Sequence, residues 1–371
     1  MDSAVKKMKK YVPIPTFVML PLTLIACIIY VAGNLSPAFS DFFNVHVSSV
    51  FRAALAYLTG WIPFSLSETI VLFAPFAAVA LIVWTIRNVR ENDVKTWRAT
   101  ISLLTVVMYI FVSFVFCFAL GYKGTTLDSK LQLERRKVSA EELFMTAEML
   151  TETVNSLADE VKFATDGHSV MPYSYSELND KLNDAYVSLA EKYDFVPKLR
   201  SNVKEVAVSE PWTYTHISGV YTFFTGEANI NVNFPDYTVP YTMAHEMSHQ
   251  RGIAPENEAN FMAFLVCMES DDVYIRYSGA QNLLEYVSSS LYKADKELYS
   301  EWLSTLNTDV RKEMIAYNKF FEKYKDNVVA DVSGSVNNAY LQSQGTAGTR
   351  SYGLVTDLAV AYFCDLDRSE K

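Results

Sequence analysis

Histidine and cysteine are scarce in this chain, five of one and four of the other among 371 residues. No Cys-x-x-Cys pair occurs, so a structural zinc closed by four protein ligands has no thiolate set to draw on. Cys27 and Cys117 fall in long apolar runs, where a small polarizable side chain packs well. Cys267 and Cys364 lie far apart in the remainder without the spacing of a disulfide framework, which leaves a Cys267–Cys364 bridge as an open question. Long apolar runs are absent after residue 121, and basic residues are thin there: 23 against 37 acidic ones, a net of −14, whereas residues 1–121 carry nine basic and five acidic. An acidic region of that kind excludes nucleic acid as a partner; it mildly favours cationic substrates, and serves solubility first. Internal repeats and low-complexity tracts are also missing.

Before residue 121 there are three apolar runs. Residues 16–33, 69–86 and 101–121 each contain 18 to 21 residues without a formal charge, enough for a helix to cross a hydrocarbon core of about 30 Å. The first lacks a small-residue cleavage site and is followed by two more, so it reads as a span and not as a signal peptide. Lys6, Lys7, Lys9 and Lys10 precede the first run, and Arg87, Arg90, Lys95 and Arg98 lie between the second and third. The connection between the first two has only Arg52. Positive charge stays in the cytoplasm, which predicts a multi-pass protein of the cell membrane with its N-terminus inside and everything after the third span outside. Residues 45–61 suit a short amphipathic helix at the bilayer surface, with His46 an interfacial side chain. Spans charged only at their ends offer no ion pathway, which argues against transport.

The expected architecture is therefore a membrane domain over 1–121 and a mainly α outer domain over 122–371 with a small β-sheet. Ser139-x-x-Glu142 and Ser174-x-x-Glu177 are capping boxes that open helices to about Lys162 and Tyr193. Leu143, Ala147, Leu150, Val154 and Leu157 mark the buried face of the first. Periodic segments run over 271–326 and 354–363, and residues 333–351, rich in Ser, Gly, Asn and Gln, read as a loop. The one clear strand pattern is Glu227–Phe234, with Ala228, Ile230, Val232 and Phe234 on one face and Asn229, Asn231 and Asn233 on the other.

Two of the five histidines stand in His245-Glu246-Met247-Ser248-His249. On a helix, positions i and i+4 share a face, so both imidazoles can address one ion while Glu246 reaches a water beside it. Gln250-Arg251-Gly252 predicts the end of that helix, and Pro255 suits the first turn of a second. Glu256 or Glu258 can then return as the third ligand; they point about 200° apart around a helix, so one alone can serve. Glu256 is favoured, because Asn260 one turn on shares its face and is placed to hydrogen-bond a ligand from behind.

Glu256-x-x-Ala259-Asn260 is similar to the Glu-x-x-Ala-Asp that supplies the third ligand in membrane-embedded zinc proteases of the gluzincin type. The wider stretch from Ser218 to Pro240, with Ala244 to Gly252, resembles an uncharacterised bacterial family of three-span membrane proteins with a C-terminal H-E-x-x-H domain. That resemblance extends from the first span to Tyr352-Gly353. It implies a zincin-like extracytoplasmic domain, a metalloprotease activity and a Zn2+ cofactor, and leaves the peptide or protein substrate unspecified. Asn260 departs from the gluzincin Asp and brings no negative charge. Zinc peptidases carry an edge strand just before the zinc helix, a role that falls to Ala228, Asn229, Ile230 and Asn231.

The expected chemistry is hydrolysis of an amide, with zinc on His245, His249 and Glu256 acidifying a water and Glu246 as general base. The oxyanion needs a second donor, for which Tyr352 is the first candidate, with His216 and Arg350 behind it. Two other readings compete: a non-catalytic receptor or scaffold, against which the intact Glu246 argues, and a zinc amidase acting on a lipid or cell-wall amide.

Overall fold

The computed structural model describes residues 10–88 and 93–370. Lys6, Lys7, Lys9 and Arg90, four of the basic residues behind the expected orientation, lie outside the described residues. By its internal contacts the chain forms two units: Met1–Gly124 with Thr222–Glu227, and Thr125–Tyr221 with Ala228–Lys371.

In the first unit the apolar runs become helices α1 (Ile14–Leu35), α4 (Leu66–Asn88) and α5 (Asp93–Cys117). All three are long and apolar enough to cross a membrane. In hydrocarbon the backbone must satisfy its own hydrogen bonds, which a helix does within one segment. Thr16 and Thr105 join α1 to α5 through their hydroxyls at 2.8 Å. The third helix starts earlier than its uncharged run and ends at Cys117; Ala119–Tyr122 form a 3-10 turn.

The surface helix expected over 45–61 is different in kind. Ser36 accepts from Phe39 N and Pro37 takes the first helical position, so helix α2 (Pro37–Phe43) is already under way before Val45. A π-turn over Asn44–Ser48 leads into α3 (Ser49–Gly60). Arg52 is buried, not interfacial: its guanidinium donates to Asn44 Oδ1 (2.7 Å), Asn44 O (3.0 Å) and Cys117 O (3.2 Å). Five donors in a fork suit a site with several oxygens, which is why burial is tolerable here. His46 is exposed beside Phe42.

Residues Thr222–Glu227 complete this unit. Phe223 packs its ring on Phe114 (5.2 Å between centroids), and Tyr109 donates to the Phe224 carbonyl at 2.8 Å. Glu227 accepts from Leu66 N (3.1 Å) and Ser67 N (2.9 Å), the first turn of α4, where backbone donors have no partner of their own.

The second unit opens with α6 (Ala140–Ala158) and α7 (Tyr175–Lys192), each started by the capping box expected of it. The face Leu143, Ala147, Leu150, Val154 and Leu157 is buried as its spacing requires. Helices α8 (Thr238–Gln250), α9 (Glu256–Glu269) and α10 (Val273–Ala294) form the interior. Asp272 caps α10, accepting from Tyr274 N and Ile275 N. Then follow α11 (Lys296–Leu303), α12 (Thr308–Phe321), α13 (Val328–Ser343) and α14 (Val355–Glu370). Trp302 of α11 is fully buried and its indole N–H donates to Thr151 Oγ1 at 2.8 Å.

Residues 333–351 are thus largely not a loop. Asn327 accepts from Ala330 N and starts a helix that runs on to Ser343, and Gly348–Leu354 form a 3-10 segment. The Asn327 cap fixes where the helix starts, and Val328, Val329, Val332 and Val336 stand exposed on it. No disulfide joins Cys267 to Cys364: both are free, and Cys267 is buried against Gly279, where an added Cβ would stand 2.3 Å from that of Cys267.

Three short strands form the sheet, β1 (Lys204–Glu205), β2 (Gly219–Thr222) and β3 (Glu227–Ile230), in the order β1-β3-β2. β1 runs parallel to β3 with Lys204 opposite Asn229 and Glu205 opposite Ile230. This overturns the edge-strand expectation. Ala228, Asn229 and Ile230 lie in the central strand and are buried, and Asn231 follows it, also buried. The asparagines face backbone, not solvent: Asn229 Nδ2 donates to Val220 O (3.1 Å), and Asn231 Oδ1 accepts from Asn233 N (3.0 Å), which turns the chain and ends the strand early. Period-two alternation locates a strand without saying which of its neighbours are paired.

Replacing a buried cap by alanine costs about 1 kcal/mol, up to ~2. Glu227→Ala should lower stability by about that much, seen as a lower apparent unfolding temperature in detergent, with Glu227→Gln losing less because it keeps an acceptor. Unchanged unfolding in both variants would remove this cap from the account of α4.

Candidate metal centre and its cavity

All but one of the residues of α8 are buried, so its polar groups need internal partners. Tyr186 of α7 donates to Ala244 O (2.6 Å) and meets Ser248 Oγ (2.7 Å). Arg251, just past the helix, lies over the Tyr186 ring at 3.8 Å and donates to Met247 O and Leu199 O. The helix stops where glycine allows: Gly252 has φ +96°, and Ile253 N returns to Ser248 O at 3.1 Å. That turn aims the Ile253 carbonyl at His249 Nδ1, 2.7 Å away, and leaves Nε2 to face inward.

Pro255, extended, then starts α9, and the acid of its first residue comes back to the histidines. Glu256 Oε2 lies 3.2 Å from His245 Nε2 and 3.4 Å from His249 Nε2. The ligand atoms of the three buried residues are all within 4.8 Å of one another, and the group could hold a metal ion. Burial alone would raise Glu256, but the charge of His249 and hydrogen bonds with both imidazoles hold it well below the usual carboxylate range. Burial depresses His249, and Glu256 more than reverses this, leaving it raised to about 9.

Glu258 goes elsewhere. Its Oε1 accepts from Leu127 N at 3.1 Å, and burial pushes its carboxyl up to about 7. The choice left open between the two acids therefore falls on Glu256, by the rotation the helical period imposes. Asn260, one turn on from Glu256, donates instead through Nδ2 to Tyr286 Oη of α10 at 3.4 Å.

Beside this group opens a cavity of about 630 Å³, lined by His245 and Glu246 of α8 and by residues of β2, α9, α10, α12 and α13. Glu246 is buried, accepts from Tyr221 N–H, and its Oε2 has no hydrogen-bond partner. Burial raises its carboxyl above the ordinary value against the pull of His245 and His249. Gly219 of β2 lies against it: a Cβ there would stand 2.7 Å from Glu246 Cγ and from Oε1. Only the absence of a side chain lets the strand approach so closely.

Tyr352 lines this cavity, its hydroxyl accepting from Asn337 Nδ2 at 3.3 Å; burial and the nearby Glu256 and Glu246 charges keep the phenol protonated. His216 lines it too, but its Nε2 is held by the Tyr324 carbonyl at 2.7 Å, on a left-handed backbone with φ +59°. Arg350 is exposed and is not part of the wall. Sequence reasoning missed Gly219, the Ile253 carbonyl, Tyr286 and Glu285. Of these, only Gly219 sits in a quoted motif, where nothing marks its neighbour 27 positions later. Burial pushes Glu285 up to about 7 against hydrogen bonds from Tyr237 and Gln281.

A family model matches residues 43–360. The chain belongs to the family described as protein of unknown function (DUF3810). No curated protein and no solved structure matches it. Membership is thus a statement of common descent without an attached activity, and the chemistry has to come from the residues.

Metal analysis of the purified full chain tests the ligand set. His249→Ala and Glu256→Ala should strip a divalent ion that wild type and Glu258→Ala both retain. Loss in Glu258→Ala with retention in Glu256→Ala would reverse the assignment.

Proposed function

We propose that this protein is a membrane-anchored, zinc-dependent peptide hydrolase. The observation that carries the reading is the convergence of His245 Nε2, His249 Nε2 and a Glu256 oxygen, with Glu246 on the wall of the same cavity. The donor chemistry fits zinc: two imidazoles and one carboxylate, with no fourth His, Cys, Asp or Glu joining them among the described residues, the pattern of a site that keeps a position open. The single-sided arrangement speaks against a purely structural ion, and hence against the scaffold reading. When bound, the ion supplies Lewis acidity and an acidified water.

The chain's own residues then do the rest. Glu246 Oε2, free of other partners, takes the proton of the attacking water and returns it to the leaving amine; burial moves its basicity toward the range useful near neutral pH. Gly219 and Tyr221 hold that carboxylate in place. Tyr352, kept protonated, donates to the developing oxyanion in preference to His216, whose Nε2 is engaged. The substrate strand is assigned to β2 in place of β3: β2 is an outer strand of the sheet, and Ser218 and Gly219 reach the cavity wall, where an extended peptide can pair with backbone. The basic residues flanking the spans support an orientation with this unit outside the cytoplasm.

Glu246→Gln should keep metal and fold while losing about 10²–10⁴ in turnover of a peptide library. Gly219→Ala should also retain metal and lose on the order of 10² by displacing the base. Turnover equal to wild type in both variants would sink the mechanism. Ser343→Cys, on an exposed helix end, should react with a membrane-impermeant thiol reagent on intact cells beyond the wild-type background; reaction only after lysis would invert the topology.

A further inference from the structure

The cavity carries a second carboxyl group outside the metal centre. Glu285 of α10 lines it, with Oε1 accepting from Tyr237 Oη (2.7 Å) and Gln281 Nε2 (3.2 Å). Those two bonds engage one oxygen, and among the described residues none donates to Oε2. Tyr286 beside it and Tyr317 of α12 line the same cavity, and among the described residues no lysine or arginine does. A role confined to holding Tyr237 would need only the oxygen already engaged, and a neutral glutamine would supply it. A carboxyl group in the wall of a cavity that phenol rings also line has the chemistry of a cation receptor, which a charge-assisted hydrogen bond and aromatic rings can serve together. Of the other basic groups on the wall, His216 is tied to Tyr324 O and His245 belongs to the metal centre, so no cation of the protein competes for the place.

We infer that Glu285, with Tyr286 and Tyr317, selects substrates that present an ammonium or guanidinium group to the cavity. The group comes from a lysine or arginine side chain near the bond that is cut or from a free peptide N-terminus. This inference rests on the hydrolase reading and names the class of peptide for it.

The test uses full-length protein in detergent and fluorescent decapeptides in matched pairs: arginine against citrulline, lysine against Nε-acetyl-lysine, and free against acetylated N-terminus. Binding is measured in Glu246→Gln protein, and cleavage in wild type. The charged member of at least one pair should bind about ten-fold tighter, a charge-assisted bond's worth, and the advantage should fall below about three-fold with Glu285→Gln added. Glutamine keeps the acceptor for Tyr237, and unchanged metal content and unfolding temperature verify the fold. Glu285→Asp should keep part of the preference. Tyr317→Leu, which removes a ring and leaves the carboxyl, should cut it by a further two- to five-fold or so, and does not depend on the glutamine variant folding. The pair that responds identifies the source of the cation. Charge preference that persists unchanged in Glu285→Gln and Tyr317→Leu, or no charge preference in any pair, overturns the inference. Charge-dependent binding lost with Glu285, without cleavage of any peptide by wild type, would leave the receptor standing and fail the hydrolase reading instead.

Discussion

Everything at the centre depends on one reversal of the chain, the turn at Gly252 between α8 and α9. Two histidines one helical turn apart are easily written into a sequence, but a third ligand has to come from another direction. Glu256 follows His249 by seven positions, and a residue tolerant of φ +96° is needed to stop one helix and bring the next back within that length. The same reversal presents the Ile253 carbonyl to His249, so the element that returns the acid also fixes the ring that meets it. Tyr186 of α7 and the Arg251 side chain brace the reversal by donating to two carbonyls of α8, Ala244 O and Met247 O. A helix buried on nearly every side is stable only if its polar groups are matched, and here the matching groups also set the geometry of the centre.

The parts legible in the sequence are those governed by local rules. Uninterrupted apolar runs, two capping boxes and the H-E-x-x-H spacing each depend on residues within a few positions of one another, and each appears where expected. The acid could be narrowed to two and then chosen because rotation along a helix is also local. The departures share the opposite property. Arg52 reads as interfacial by its neighbours, yet it is buried because Cys117, 65 positions on, offers a carbonyl. Ala228 to Asn231 read as a substrate-edge strand, yet Asn229 is buried because β1 and β2 flank β3 on both sides. The Ser- and Asn-rich 333–351 segment reads as loop by composition, although a helix capped at Asn327, outside that window, runs on to Ser343. Gly219 and Glu285 could not have been assigned by any local pattern, since their partners are brought to them by tertiary packing.

Four glutamates near the centre show how environment divides one functional group among tasks. Glu256 faces two imidazoles and is held ionised, the state a ligand requires. Glu258, two residues on, faces a backbone N–H and is raised to about 7, the state of a buried group with a structural hydrogen bond. Glu246 keeps one oxygen on the Tyr221 side and one without a partner, and burial raises it, which suits a group that must gain and lose a proton. Glu285 divides its oxygens in the same way between phenol and cavity, but far enough from the histidines that they contribute nothing to its acidity. Net charge alone makes these residues equivalent contributors to an acidic domain. Under the proposed reading, their separation into ligand, strut, base and receptor follows from what each carboxyl group faces. Of the four, Glu246 and Glu285 line the cavity, and the buried Glu246 Oε2, without a protein partner, is stable only where water or a ligand supplies one. The cavity wall thus holds two carboxyl groups together with the phenols of Tyr286 and Tyr317, a lining that under the proposed reading suits a peptide held at one point by its reacting carbonyl and at another by a positive charge.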